Sequence, residues 1–153
     1  MRIAVQEATF DLGEESQRFA ADVATSDANA GAIVTFTGVV RGSDSGDMVA
    51  MEIEHYPGMT ERAIGQITEE ALRRWSLADA LVIHRHGRLV PGEQIMMVAT
   101  AARHRSDAFE AAEYLMDYLK SRAPFWKKEL TQDGSGNWVE AKDSDEDALT
   151  RWD

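Results

Sequence analysis

Cysteine is absent from the 153 residues. That excludes a disulfide framework, a thiolate zinc site, an iron–sulfur cluster and a cysteine nucleophile. Long apolar runs are absent too. The run Ile95–Ala102 stops at Arg103, far short of the ~20 residues that span a bilayer. The opening MRIAVQEATFDLGEE carries no signal-peptide pattern, because Gln6 and Glu7 interrupt it. Proline is scarce, with three in all, and there is no repeat or low-complexity linker. Also missing are the phosphate loop of nucleotide hydrolases, G-x-G-x-x-G, H-E-x-x-H and G-x-S-x-G. These absences lead us to expect a soluble, cytoplasmic chain with no membrane partner.

What is present reads as one globular domain over residues 1–153. Hydrophobic residues make up 44% and charged residues 28%, enough apolar material for a core at this length. The net charge is −11, which favours solubility and argues against nucleic-acid binding. The cations are unevenly spread. Arg103, Arg105, Lys120, Arg122, Lys127 and Lys128 fall in one stretch with only Asp107, Glu110, Glu113 and Asp117. Six cations against four acids give that stretch +2 and leave −13 for the rest. Such asymmetry points to a local anion site on an acidic body.

Periodicity predicts a helix over Glu14–Ala24, a strand over Ala32–Val40 and a Gly/Ser/Asp loop over Gly42–Asp47. Met48–Tyr56 alternates as a half-buried strand. Pro57-Gly58 is a turn, Thr60 a candidate cap, and Ile64, Ile67, Ala71 and Trp75 a helical stripe. Strands follow over Ala80–His86 and Glu93–Ala101. Ser106 can cap a helix whose buried face is Phe109, Ala112, Met116 and Leu119, with Pro124 ending it. Lys127–Thr131 and Trp138–Lys142 read as a hairpin, and residues from Asp143 as a short helix or frayed tail. The mixed order predicts an α+β fold with a largely antiparallel sheet.

Three clusters can carry chemistry. His84 and His86 fall on one face of a strand; they begin a metal site or are polar residues of a strand edge. Arg103-His104-Arg105-Ser106 precedes a helix, where backbone N–H groups and guanidiniums favour anions; a solvated turn is the plainer reading. Lys120 and Lys127 flank Pro124, so the turn can bring them together. Neighbouring cations and burial by Phe125 and Trp126 would both depress a lysine pKa. Otherwise these are two solvated lysines beside core aromatics. Arg41 adds a cation next to the Gly42–Asp47 loop.

Taken in order, several segments are familiar. They are Val34–Arg41 (VTFTGVVR), Glu54–Thr60 (EHYPGMT), Val82–Arg85 (VIHR), His104-Arg105-Ser106 with Ala108–Ala111, Met116–Glu129 (MDYLKSRAPFWKKE) and Trp138–Ala141. Over Ala32–Lys142 the chain resembles the large, catalytic subunits of molybdopterin synthase. The resemblance implies an α/β hammerhead-like fold with an additional antiparallel sheet. It implies a central homodimer within a heterotetramer, with a small ubiquitin-like sulfur-carrier subunit at each end. The activity implied is sulfur transfer from the carrier's C-terminal thiocarboxylate to cyclic pyranopterin monophosphate (precursor Z), forming the dithiolene of molybdopterin. No further cofactor is implied, and with no cysteine here the sulfur would reside on the carrier.

Carried over by position, Lys120 and Lys127 are the implied catalytic lysines. Arg41, His104 and Arg105 match the substrate pocket, with Val39, Val40, Lys128, Glu129 and Lys142 beside them. Lys142 stands where such chains usually have arginine, thought to reach the neighbouring subunit's site. Val39 stands where they often have lysine. Lysine keeps the charge of arginine and loses its bidentate fork. The cations suit the chemistry, since two anions ~5 Å apart repel by roughly 3 kcal/mol at an effective dielectric near 20. Two other functions fit the same residues. One is a non-catalytic anion-binding scaffold that docks an acidic tail. The other is a metal hydrolase built on His84, His86 and His104.

Overall fold

A computed structural model describes residues 1–153 as eight strands and four helices. In chain order these are β1 (Arg2–Gln6), α1 (Leu12–Ala24), β2 (Ala32–Val39), β3 (Met48–His55), α2 (Met59–Arg74), β4 (Asp79–Arg85), β5 (Gly87–Leu89), β6 (Gln94–Ala102), α3 (Arg105–Arg122), β7 (Phe125–Thr131), β8 (Gly136–Trp138) and α4 (Asp143–Leu149). A 3-10 turn, Thr150–Trp152, follows. No helix is long and apolar enough to cross a membrane.

The strands make two four-stranded sheets, ordered β1-β4-β6-β2 and β5-β3-β7-β8. Only β1 with β4 is parallel; every other pair is antiparallel. That is the expected α+β arrangement with its additional antiparallel sheet. β4 and β6 are apolar almost throughout because both faces of their sheet are covered. On one face Leu81, Ile83, Met97, Ala99 and Ala101 pack with Phe19 and Val23 of α1. On the other, Val82, Met96 and Val98 join Ile64, Ile67 and Ala71 of α2, and Tyr114, Leu115 and Leu119 of α3. The same core takes in Ile53 and Leu89 of the second sheet, so α2 and α3 lock the sheets together.

Local chemistry sets the element ends. Asp11 caps α1, its Oδ1 accepting the Glu14 N–H at 2.8 Å. α2 starts one residue before the expected Thr60 cap. Gly58 takes that place with φ 83°, and its N–H donates to the Glu61 carboxylate at 2.7 Å. Thr60 is instead fully buried, its hydroxyl donating to the Tyr56 carbonyl at 2.9 Å. Ser106 lies inside α3, and the capping position belongs to His104.

Other differences follow from packing. β1 went unforeseen, since five residues pairing with a strand near residue 81 leave little local signal. β5 is three residues long. The buried face of α3 is Ala108, Ala111, Ala112, Tyr114, Leu115 and Leu119, while Phe109 is 60% exposed. Small alanines face the sheet because α3 lies close against β2 and β6. β7 starts at Phe125, two residues early, and β8 ends at Trp138, where the expected strand began. The acidic segment from Asp143 is helical.

Candidate active site

α3 ends in the cations Lys120 and Arg122, which suit its negative dipole end. Pro124 cannot continue the helix, and β7 starts at the next residue. Strand alternation then puts Phe125, Lys127 and Glu129 on one face of β7, with Trp126 and Lys128 on the other. Phe125 stacks on His84 of β4 at 3.8 Å between centroids and 18° between planes. It is therefore Phe125 that covers the lysine face, while Trp126 remains 48% exposed.

Beneath this stack His84 is buried, not at a strand edge. Its Nδ1 lies 2.8 Å from the Arg85 carbonyl, and a carbonyl can only accept, so Nδ1 carries the hydrogen. Burial pushes its pKa down to about 4, and the charges of Lys127, His55 and His86 push the same way. The ring is neutral at physiological pH.

Lys127 itself is half-buried. Burial lowers its pKa most, Lys120 lowers it further, Asp145 opposes, and Lys142 adds a smaller lowering. The charges of Lys120, Asp145 and Lys142 are therefore all felt at Lys127. Lys120 is 56% exposed, with its Nζ 3.9 Å from Asp145 Oδ1. α4 is docked there by Ser121 Oγ, which donates to the Asp145 carbonyl at 3.1 Å, and by an Arg122–Glu146 ion pair at 2.7 Å. An amine made easier to deprotonate, beside a second exposed amine, can move a proton or hold a developing anion.

The other expected residues divide. His104 and Arg105 are exposed at the start of α3. Fifteen residues of helix separate Arg105 from Lys120, about 22 Å along the axis at 1.5 Å per residue. One protomer does not bring them together. Gly31 pins the start of β2 to that far end, since a Cβ there would lie 2.6 Å from the Arg103 carbonyl oxygen. β2 runs away from it, from Ala32 opposite Ala102 to Val39 opposite Gln94. Arg41 therefore follows β2 at the end opposite His104. Val39 is 55% exposed. Val40 is a core residue at 3%, and its N–H and carbonyl are both taken by the Gly92–Glu93 turn. It holds Arg41 in place and offers a ligand nothing. Lys128 points away from Lys127, with its Nζ 5.4 Å over the Trp138 ring. Glu129 is half-buried on the Lys127 face.

No group of three or more His, Asp or Glu side chains converges to hold a metal ion. His84 faces Phe125, His86 lies 4.4 Å from His55, and His104 sits at the far end of α3. Cavities of about 260 Å³ beside Arg85 and about 390 Å³ between α1 and β2 lie away from the lysines. Sequence reasoning missed Asp145, which sits in the acidic segment without a distinguishing neighbour, and the role of His84 beneath Phe125.

Comparison with known proteins now bears on this site. Residues 5–122 match the family described as MoaE protein. The chain belongs to that family, the catalytic subunits of molybdopterin synthase. It is 66% identical over 152 residues to the molybdopterin synthase catalytic subunit of Cereibacter sphaeroides, covering 99% of this chain and 100% of that one. A solved molybdopterin biosynthesis MoaE protein from Burkholderia ambifaria superposes with a TM-score of 0.80 at 49% identity, covering 99% and 98% of the two chains. Molybdopterin synthase from Staphylococcus aureus gives 0.79 at 29% identity, covering 92% and 98%. Membership makes the chain an enzyme subunit of molybdenum cofactor biosynthesis. The family match ends at Arg122, so Lys127, Lys142 and Asp145 lie beyond it. The Cereibacter relative spans them.

Proposed function

We propose that this subunit transfers sulfur from the C-terminal thiocarboxylate of a small ubiquitin-like carrier to cyclic pyranopterin monophosphate, building the dithiolene of molybdopterin. The observation that carries the reading is the pairing of exposed Lys120 at the end of α3 with half-buried Lys127 just past the Pro124 turn, the pKa of Lys127 being depressed by burial and by Lys120. Both reactants are anions, and this is where the chain concentrates cations without neutralising them fully. Lys120, exposed, is the group an incoming tail would meet; it serves at the thiocarboxylate carbonyl as acid/base or transient acyl acceptor. Lys127, set deeper, stabilises the developing negative charge where the dielectric is lower. Asp145 partly offsets the charge of Lys120 until the anion arrives.

Arg41, His104 and Arg105 hold the phosphate and pterin. Because α3 keeps its two ends about 22 Å apart, one chain cannot offer Lys120 and Arg105 to one small molecule. A homodimer resolves this if a second copy sets the start of its α3 against the lysine end of the first. Lys142 was expected to serve the neighbouring subunit's site. Here its charge lowers the pKa of Lys127 in its own chain, which favours a contribution in cis. In this reading the assembly is a heterotetramer of two such subunits and two carriers. No nucleic acid or membrane enters, and the chemistry needs no resident cofactor.

The test follows the carrier. Thiocarboxylated carrier is mixed with this protein, with and without the cyclic pterin, and its C-terminus is read by mass. Sulfur transfer predicts conversion of thiocarboxylate to carboxylate that requires the pterin. Tight binding with the thiocarboxylate left intact would establish the scaffold instead.

A further inference from the structure

The segment after α4 is held by an unusual number of groups. The Trp152 ring meets Trp75 edge-on at 5.7 Å and Tyr114 at 5.5 Å, with interplanar angles of 88° and 81°. Its Nε1–H donates to Asp117 Oδ2 at 2.8 Å. Its carbonyl accepts from the Arg74 guanidinium at 2.7 Å. That guanidinium lies over three rings, 5.1 Å from Trp75 and 5.8 Å from both Tyr114 and Trp152. Arg151 adds ion pairs to Glu113 at 2.7 Å and Asp117 at 3.0 Å. Edge-to-face aromatic pairs add to what burial alone contributes, so this is a firm anchor on α2 and α3.

Only α4 lies between the anchor and the lysines. It is seven residues long with one buried side chain, Leu149. A helix of that length cannot sustain itself. Its attachments at the lysine end are polar and partly exposed: Asp145 to Lys120 and Ser121, and Glu146 to Arg122. Exposed ion pairs contribute little. Lys142 is tethered from its other side, where the Val139 N–H donates to the Lys127 carbonyl at 2.7 Å, but the placement of Asp145, inside the helix, depends on what happens at Trp152.

We propose that Trp152, gripped by Arg74, Trp75, Tyr114 and Asp117, is a positioning residue for the lysine site: it ties down the α4 strap that delivers Asp145 beside Lys120 and Lys127. The catalytic consequence rests on the proposed sulfur transfer; the mechanical one does not. Trp152 touches no reacting atom and acts through the strap. The direction already described for Lys127 agrees, since the carboxylate on the strap, Asp145, raises its pKa.

The experiment compares the full-length protein with Trp152→Ala, Trp152→Phe and Arg74→Gln. Amide exchange over 143–149 should rise roughly ten-fold in Trp152→Ala while α2 and α3 hold. A zero-length carbodiimide cross-link between Lys120 and Asp145 should form in the parent and be lost in Trp152→Ala. Trp152→Phe, which keeps the ring, should retain it; Arg74→Gln should give an intermediate result and covers the case that Trp152→Ala fails to fold. In sulfur transfer, kcat/KM should fall roughly ten-fold in Trp152→Ala, and adding Asp145→Ala should cost little more, because both act through one strap. Unchanged exchange and cross-linking would overturn the proposal. So would a released strap with full turnover, or an Asp145→Ala effect that persists undiminished without Trp152. If the parent itself transfers no sulfur, the functional reading fails, while exchange and cross-linking still decide the strap.

Discussion

Replacing His84 with asparagine should flatten the acid limb of the protein's stability. Folded His84 titrates at about 4 and the unfolded imidazole at 6.5. Between those values the unfolded chain binds a proton that the folded one refuses, so stability is present above pH 6.5 and is lost as pH falls toward 4. At about 1.36 kcal/mol per pH unit the loss is roughly 3 kcal/mol once pH is below 4. The cause is burial: the ring is 6% exposed, stacked on Phe125, and has its Nδ1–H on the Arg85 carbonyl. Asparagine can return an N–H to that carbonyl and does not titrate. Urea unfolding of both proteins at pH 7.5, 6.5, 5.5 and 4.5 isolates the effect, because carboxylates titrate in each and cancel. The stability difference between parent and variant should move by about 2.5 kcal/mol between pH 7.5 and 4.5, against the parent at low pH. A difference that stays constant would refute the burial argument. The consequence for the site is direct, since a cationic His84 would add a further positive charge beside Lys127.

The remaining predictions concern the site and the core. Asp145→Asn removes a carboxylate that raises the Lys127 pKa, so the alkaline limb of the turnover profile should move to lower pH; a shift upward or none would contradict the placement. Lys127→Ala should cut turnover by roughly ten-fold or more with carrier affinity little changed, measured by single-turnover product formation and calorimetry. Equal mixing of Lys120→Ala with Arg105→Ala chains should restore about a quarter of parental turnover, since half the dimers are hybrids and each has one intact site. No recovery would place both residues in the same chain's site. Leu115→Ala, fully buried in the core of both sheets, should cost roughly 2–5 kcal/mol in urea unfolding.

Where a residue's neighbours lie close in sequence, its setting was legible. Ala32–Val40, Met48–Tyr56, α2 and the Pro124 break carried their own periodicity or stop signal. Lys120 and Lys127 share a turn, so their meeting could be foreseen from Pro124 alone. β1 could not, because its strand character depends on pairing with residues 81–85. The α3 stripe slipped because sequence rewards large apolar residues, and tight packing against β2 and β6 selected Ala108, Ala111 and Ala112 instead. His84 looked like an edge residue because its neighbour Arg85 is charged, yet that guanidinium is itself buried against the Glu7 and Gln94 carbonyls. Asp145 was one acid among many until α4 laid it against Lys120. The pocket residues at the two ends of α3 were assembled by resemblance, and helix length separates them.

Dithiolene formation from thiocarboxylated carrier and cyclic pyranopterin monophosphate, measured side by side for the parent and Lys120→Ala, tests the central claim most directly. The parent should make the dithiolene product. Lys120→Ala should make none while binding the carrier as well as the parent does. Product formation by Lys120→Ala at the parental rate would remove the lysine cluster from the chemistry and contradict the reading.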